Sequence, residues 1–141
     1  DYEHLSSFKW CAHKERCNKF YAVRGSGGRM NRRIVRMHSY IMNAPDEFEV
    51  DHINGDGLDN QRHNLRICTH LQNLQNSSHH SDSPSPFKGV SYCKDRKRWQ
   101  ASIKTNGKSI ALGRFLTAEE AARAYDESAK KHFGIFAKTN F

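Results

Sequence analysis

A ten-residue stretch, Ser77-Ser-His-His-Ser-Asp-Ser-Pro-Ser-Pro86, sets the strongest limit on how this chain can fold. It is polar, carries two prolines and has no apolar periodicity, so it can neither fill a core nor continue a helix or strand. It reads as a linker over residues 77–86, with one domain over residues 1–76 and another over residues 87–141. Hydrophobic residues make up only 36% of the 141, and mean hydropathy is -0.88. Two small modules held by local packing, a metal or a bound partner suit such a chain better than one large core.

Charge narrows the class of partner. The formal net charge is +8, which points to a polyanion. The excess sits at one end: residues 1–75 carry 11 Lys and Arg against 9 Asp and Glu, and residues 87–141 carry 12 against 5. A solvated basic surface accounts for the first imbalance but not for the second. No apolar run approaches the roughly 18 residues that cross a bilayer, and the start has no secretory signal pattern. A soluble, intracellular protein is expected, with no membrane partner and no obligate protein partner. The start at Asp1 rather than Met leaves open a missing or removed preceding segment. Cys11, Cys17, Cys68 and Cys93 form no Cys-x-x-Cys pair, so they read as reduced thiols, with Cys11 and Cys17 a weak candidate pair.

An α+β chain is predicted. An irregular stretch holding Trp10 is followed by extended segments at Lys19–Arg24 and Arg33–Met42, separated by Gly25-Ser-Gly-Gly28. A short strand ends near Glu49–Ile53, and a loop dense in turn formers follows, including Asn54, Gly55, Asp56, Gly57, Asp59 and Asn60. Leu65–Cys68 reads as a second strand, and Thr69 as the cap of a helix reaching about Asn76. In the C-terminal part Phe87–Tyr92, Arg98–Lys104 and Lys108–Phe115 read as three strands. Asn106-Gly107 makes a hairpin between the last two. Thr117-Ala-Glu-Glu120 is a capping box opening a helix over Ala118–Phe133 that Gly134 stops.

The chemistry concentrates between Asp51 and Asn73. Asp51 and His52 are adjacent at a strand end, Asn64 lies twelve residues beyond His52, and Asn73 nine beyond that. Hydrolysis of a phosphodiester needs an activated water and neutralised charge on the phosphate and leaving oxygen. A histidine of near-neutral pKa suits the base. A carboxylate and an amide carbonyl suit Mg²⁺ or Mn²⁺, with water and phosphate completing the shell. On a strand Asp51 and His52 point to opposite faces, so a distortion, or approach to different sides of the phosphate, must reconcile them. Asp56 and Asp59 suggest a calcium loop, but the Glu required at its twelfth position is absent.

This segment resembles the HNH nucleases, whose catalytic unit is the ββα-metal fold. The resemblance implies that His52 is the general base, that Asp51 and Asn73 hold a single divalent metal, and that Asn64 braces the loop and orients His52. Asn rather than His at the third motif position is the pattern of the homing-endonuclease branch, which favours Mg²⁺ or Mn²⁺. Residues 2–42, with Phe8-Lys-Trp10, Phe20–Arg24 and Met37-His38, also look like the region preceding this motif in phage and intron HNH proteins. His38 reads as a core or surface histidine, His63 as solvent-facing, and His70 as a residue that could reach substrate or metal. His79 and His80 read as linker spectators. Arg32, Arg33, Arg36, Arg62 and Arg66 are candidates for phosphate contacts.

Phe87-Lys-Gly-Val90, Trp99–Lys104, Leu112-Gly-Arg-Phe115, Thr117–Asp126 and Thr139-Asn-Phe141 arrive in order. Together they resemble the Apetala-two/ethylene-response-factor DNA-binding domain, which implies a sheet lying in the major groove with a helix behind it. Val90, Ala101, Ile103 and Leu112 would pack on Ala121, Ala122 and Tyr125, and Trp99 would pack rather than read bases. Lys88, Lys94, Arg96, Arg98, Lys104, Lys108 and Arg114 would meet DNA, with Arg66 adding a contact near the cutting site. Where plant members present Arg and Trp, this chain has Ser91, Cys93, Ser102, Ser109 and Ala111, so anchoring rather than base readout is expected. Taken together, the expectation is a homing-type, metal-dependent endonuclease acting on double-stranded DNA and nicking one strand per event. The alternatives are a DNA-binding regulator retaining a dead nuclease fold and, from charge alone, an RNA-binding module, which a major-groove sheet suits less well.

Overall fold

The computed structural model describes residues 1–15, 19–28, 31, 33–77 and 84–141. They form two compact units, Asp1–Asn73 and Leu74–Phe141. Most of the expected linker, and with it His79 and His80, lies outside the described residues, as do Arg32 and Cys17. Cys11, Cys68 and Cys93 are free thiols. No helix among the described residues is long and apolar enough to cross a membrane.

The first unit opens with helix α1 (Tyr2–Ser6) and strand β1 (Cys11–Lys14), both inside the stretch expected to be irregular. Strand β2 (Phe20–Ser26) pairs antiparallel with β1 on one side and with β3 (Arg33–Arg36) on the other. The predicted extension of that last strand to Met42 fails: helix α2 (Met37–Met42) follows β3 without a break. Ile34, Arg36 and His38 alternate like a strand, but the buried pair is His38 and Ile41, three apart on one helical face. Asn43, left-handed at φ 43° and ψ 47°, ends α2. Strands β4 (Glu49–His52) and β5 (Leu65–Cys68) form an antiparallel pair in which Asp51 faces Arg66 and His52 faces Leu65. Helix α3 (His70–Asn76) follows, its residues up to Asn73 belonging to this unit, and completes the strand–strand–helix order. Its start is a reciprocal cap: Gln72 N donates to Thr69 Oγ1 and Thr69 N donates to Gln72 Oε1.

The first unit has a thin apolar core of Val23, Ile41, Leu65 and Cys68, and His38, Asp51, His52 and Asn64 are buried with it. Polar groups sit inside a fold when partnered or when function holds them there. At its edge Arg24 lies 4.0 Å over the Phe8 ring and 5.2 Å over Tyr40, with Trp10 completing the box.

The second unit matches its sequence reading closely. Strands β6 (Val90–Cys93), β7 (Arg98–Thr105) and β8 (Lys108–Phe115) form an antiparallel sheet in that order, and helix α4 (Ala118–Phe133) packs on it. Asn106 and Gly107 take φ values of 49° and 76° in the hairpin. Thr117 and Glu120 make the full capping box. Val90, Ala101, Ala121 and Ala122 form one buried cluster and Ile103, Tyr125, Ala129 and Phe133 a second. Alanines on both sides let helix and sheet approach closely. A Cβ at Gly89 would fall 2.1 Å from the Tyr125 ring, so no larger residue fits there. Trp99 packs against the core and 5.0 Å from the Tyr92 ring, as expected. Buried Asp126 fastens the end of the chain, accepting from the backbone N–H groups of Asn140 and Phe141 and from Asn140 Nδ2.

Candidate active site

The loop between β4 and β5 is built from its own polar side chains. Asn54 N donates to Asn64 Oδ1 at 3.0 Å, and Asn64 Nδ2 returns to Asn54 Oδ1 at 3.1 Å and to Asp59 O at 2.8 Å. Ile53 N donates to Asn64 O at 2.9 Å. Asp56 Oδ1 accepts from Leu58 N, and Asp59 Oδ2 accepts from Asn54 Nδ2. Gly57 rests directly on β2, where a Cβ would come 2.3 Å from Phe20 O. Asn64 thus clamps the two ends of the loop together, and the loop acids serve as its internal acceptors.

His52, 5% exposed, stands at the mouth of this loop. Its Nε2 lies 3.2 Å from Asn60 Oδ1, while Asn60 Nδ2 donates to Leu58 O at 3.0 Å. An amide oxygen only accepts, so in the neutral ring Nε2 carries the proton and Nδ1 the lone pair. In the sequence Asn60 reads as a turn former. Its amide ties the loop to His52, a part the HNH resemblance implies for Asn64, whose side-chain bonds go to Asn54 and Asp59.

Two more rings pack on His52. The His38 ring lies 4.9 Å away at 85°, and the Tyr21 ring 6.0 Å away. His38 is 6% exposed, and its Nδ1 has no hydrogen-bond partner, a loss of about 1–3 kcal/mol for a buried polar atom. Burial first, then the neighbouring His52 and Arg36 charges, bring its pKa down to about 4.

Asp51 faces the other side of β4, as strand alternation requires. It is 6% exposed, and Arg66 donates to its Oδ2 through Nε at 2.9 Å and Nη2 at 2.7 Å. Glu49, two residues earlier and so on the Asp51 face, accepts from Asn73 Nδ2 at 2.6 Å and meets His70 Nδ1 at 2.8 Å. Its carboxyl is held below the usual range, chiefly by the Asn73 hydrogen bond, with burial opposing. Asp51 and Asn73 therefore each have a protein partner of their own, Arg66 and Glu49. Among the described residues no group of three or more His, Cys, Asp and Glu side chains is arranged to hold a metal ion. The oxygen atoms of Asp51 and Asn73 nevertheless match a hard cation that keeps several waters and needs few protein ligands.

Other candidate arginines have partners near them. Arg36 pairs with Glu15 at 2.5 Å and Arg62 with Asp1, while Arg33 and His63 are exposed.

The comparisons with known proteins fall on these two units. The description "HNH endonuclease" matches residues 43–75, spanning β4, the loop, β5 and most of α3. An uncharacterised HNH endonuclease of Acanthamoeba polyphaga mimivirus is 31% identical over 142 aligned residues, covering 96% of this chain and 68% of the viral protein. The chain belongs to the HNH endonuclease family. In this HNH protein an AP2 domain matches residues 85–134, the second unit's sheet and helix. Two Arabidopsis thaliana proteins, the AP2-like ethylene-responsive transcription factors TOE2 and AIL7, are 44% identical over 57 residues and 46% over 67. These stretches span only 12% and 14% of those plant proteins.

On the AP2-type sheet Arg98, Lys104 and Arg114 lie on the face away from Ala101 and Ile103, with Gln100 opposite Arg114 in register. Lys94 and Arg96 occupy the exposed turn between β6 and β7, and Lys108 pairs with Thr105 at the far hairpin. Lys88 is placed differently. Its Nζ donates to Gln75 O and Ser77 O, both at 2.6 Å, and burial, then Lys138, lowers its pKa to about 8. Sequence gave its charge but not this engagement.

Proposed function

We propose that the protein is a metal-dependent endonuclease that cuts double-stranded DNA, of the homing type, acting inside a cell. The observation that carries this reading is the Asn60–His52 pair: Asn60 Oδ1 holds the Nε2 proton, so Nδ1 is the basic atom of a histidine adjacent to Asp51. His52 takes the proton of the attacking water at Nδ1. Asn64 keeps the loop closed, so that Asn60 stays in reach of the ring. Asp51 through its carboxylate and Asn73 through its amide oxygen would hold Mg²⁺ or Mn²⁺. Once bound, such a cation supplies charge neutralisation at the phosphate and the departing 3′-oxygen. Glu49 keeps the Asn73 amide nitrogen engaged, which makes the oxygen the donor atom of that side chain.

In this reading residues 1–76 cut, residues 77–86 connect and residues 87–141 grip DNA. Lys94, Arg96, Arg98, Lys104, Lys108 and Arg114 contribute phosphate contacts. One base per chain makes a nick the product of a single event. Arg66 on Asp51 favours a second reading, a DNA-binding regulator whose nuclease fold no longer takes up metal. Incubation with supercoiled plasmid separates the two. Conversion to open circles with Mg²⁺ or Mn²⁺ and none with EDTA supports the nuclease, whereas binding without cutting under every metal supports the regulator.

A further inference from the structure

We propose that His38 is a positioning residue for His52, its buried ring fixing the plane in which His52 presents Nδ1. The inference rests on His52 being the base. The Asn60 contact, 3.2 Å from Nε2 and at the long end for an N–H···O hydrogen bond, engages one ring atom and so selects the tautomer more firmly than the ring plane. His38 and Tyr21 supply the walls. His38 meets His52 edge to face at 4.9 Å and 85°, the attractive arrangement for two aromatic rings, and Tyr21 contacts both, 5.7 Å from His38 and 6.0 Å from His52.

The wall is itself rigidly mounted. Helix α2 carries His38 beside buried Ile41 and closes on the left-handed Asn43, and Tyr40 of the same helix packs 5.8 Å from Phe8. Core packing alone does not explain a histidine at position 38, because its Nδ1 is buried without a partner; an apolar side chain would fill the space without that loss. With its pKa near 4, His38 stays uncharged around neutral pH, which suits a wall rather than a proton carrier.

His38→Leu tests this, because leucine fills the site, orphans no nitrogen and keeps the protein folded. A first readout needs neither metal nor DNA: imidazole ¹⁵N NMR of the full chain. Wild type is expected to show His52 as one Nε2–H tautomer, and the variant to show averaged or broadened His52 signals at an unchanged or higher Tm. A second readout is nicking of supercoiled plasmid with Mg²⁺. The expected fall in kcat is about tenfold to a hundredfold, the scale of a misplaced catalytic group, with KM little changed. In a His52→Ala background the same substitution is expected to cause no further fall, since His38 acts through His52. Unchanged His52 signals, or a loss that persists without His52, would overturn the proposal. If wild type binds DNA and never cuts it, the nuclease reading fails, and the NMR result still decides whether His38 positions His52.

Discussion

Asn60 and His52 are joined by a contact whose polarity is set from the far side: Asn60 Nδ2 donates to Leu58 O, which turns Oδ1 toward His52 Nε2. Removing that acceptor takes away the contact that favours the Nε2–H tautomer. Asn60→Ala is expected to lower kcat about tenfold, with stability changed by less than about 1 kcal/mol because Asn60 is only half-buried. Asn60→Asp keeps an acceptor and should retain most of the rate. Single-turnover plasmid nicking at matched DNA occupancy checks both.

The Asp51–Arg66 pair makes a separate prediction. Side-chain exposures of 6% and 13% make it a buried ion pair, and taking away one partner of such a pair is strongly destabilising. Arg66→Gln is expected to cost about 3 kcal/mol in urea unfolding. If Asp51 holds the cation, removing the competing guanidinium also enlarges the rise in Tm that Mg²⁺ produces. A variant that is destabilised but insensitive to Mg²⁺ would place the metal elsewhere.

His38 gives stability a pH dependence of defined sign. Its pKa falls from 6.5 to about 4 in the folded chain, through burial first and then the charges of His52 and Arg36, with Glu15 opposing. Between those values the unfolded chain binds more protons, so stability rises with pH across that window. The stability is fully present above about pH 6.5 and is lost as pH falls through 4, with a ceiling of roughly 3 kcal/mol. Urea titrations from pH 4 to 8 should show this slope in wild type and a flatter one in His38→Leu.

Salt dependence of DNA binding distinguishes lysines by placement. Lys104 is exposed on the sheet face away from the core, and Lys104→Ala is expected to shallow the log Kd against log salt slope by about 0.9, the value for one phosphate contact. Lys88 donates to Gln75 O and Ser77 O instead, so Lys88→Ala should lower Tm and leave the slope nearly unchanged.

The second unit was legible because its signals are local. Asn106-Gly107 dictates a hairpin, Thr117 and Glu120 cap a helix, and alternation of Ala101 and Ile103 with Ser102 and Lys104 gives the faces. The first unit was less so. Helix α2 is six residues long, too short for its period to show against the alternation that runs into it from β3. In the site, spacing together with the HNH resemblance singles out Asp51, His52, Asn64 and Asn73. The groups around them are set by tertiary placement: Asn60 reads as one more turn former, His38 sits fourteen residues before His52, and Arg66 reaches Asp51 only through the β4–β5 register. Nothing local in a sequence marks such contacts.

The most direct test is a comparison of wild type and His52→Ala on supercoiled plasmid, with Mg²⁺, after both are shown to bind the DNA equally. The expected result is metal-dependent nicking by wild type, leaving 3′-hydroxyl ends, and a loss of at least about a hundredfold in the variant, the scale for removing a general base. Equal cutting by the two proteins would contradict His52 as the base.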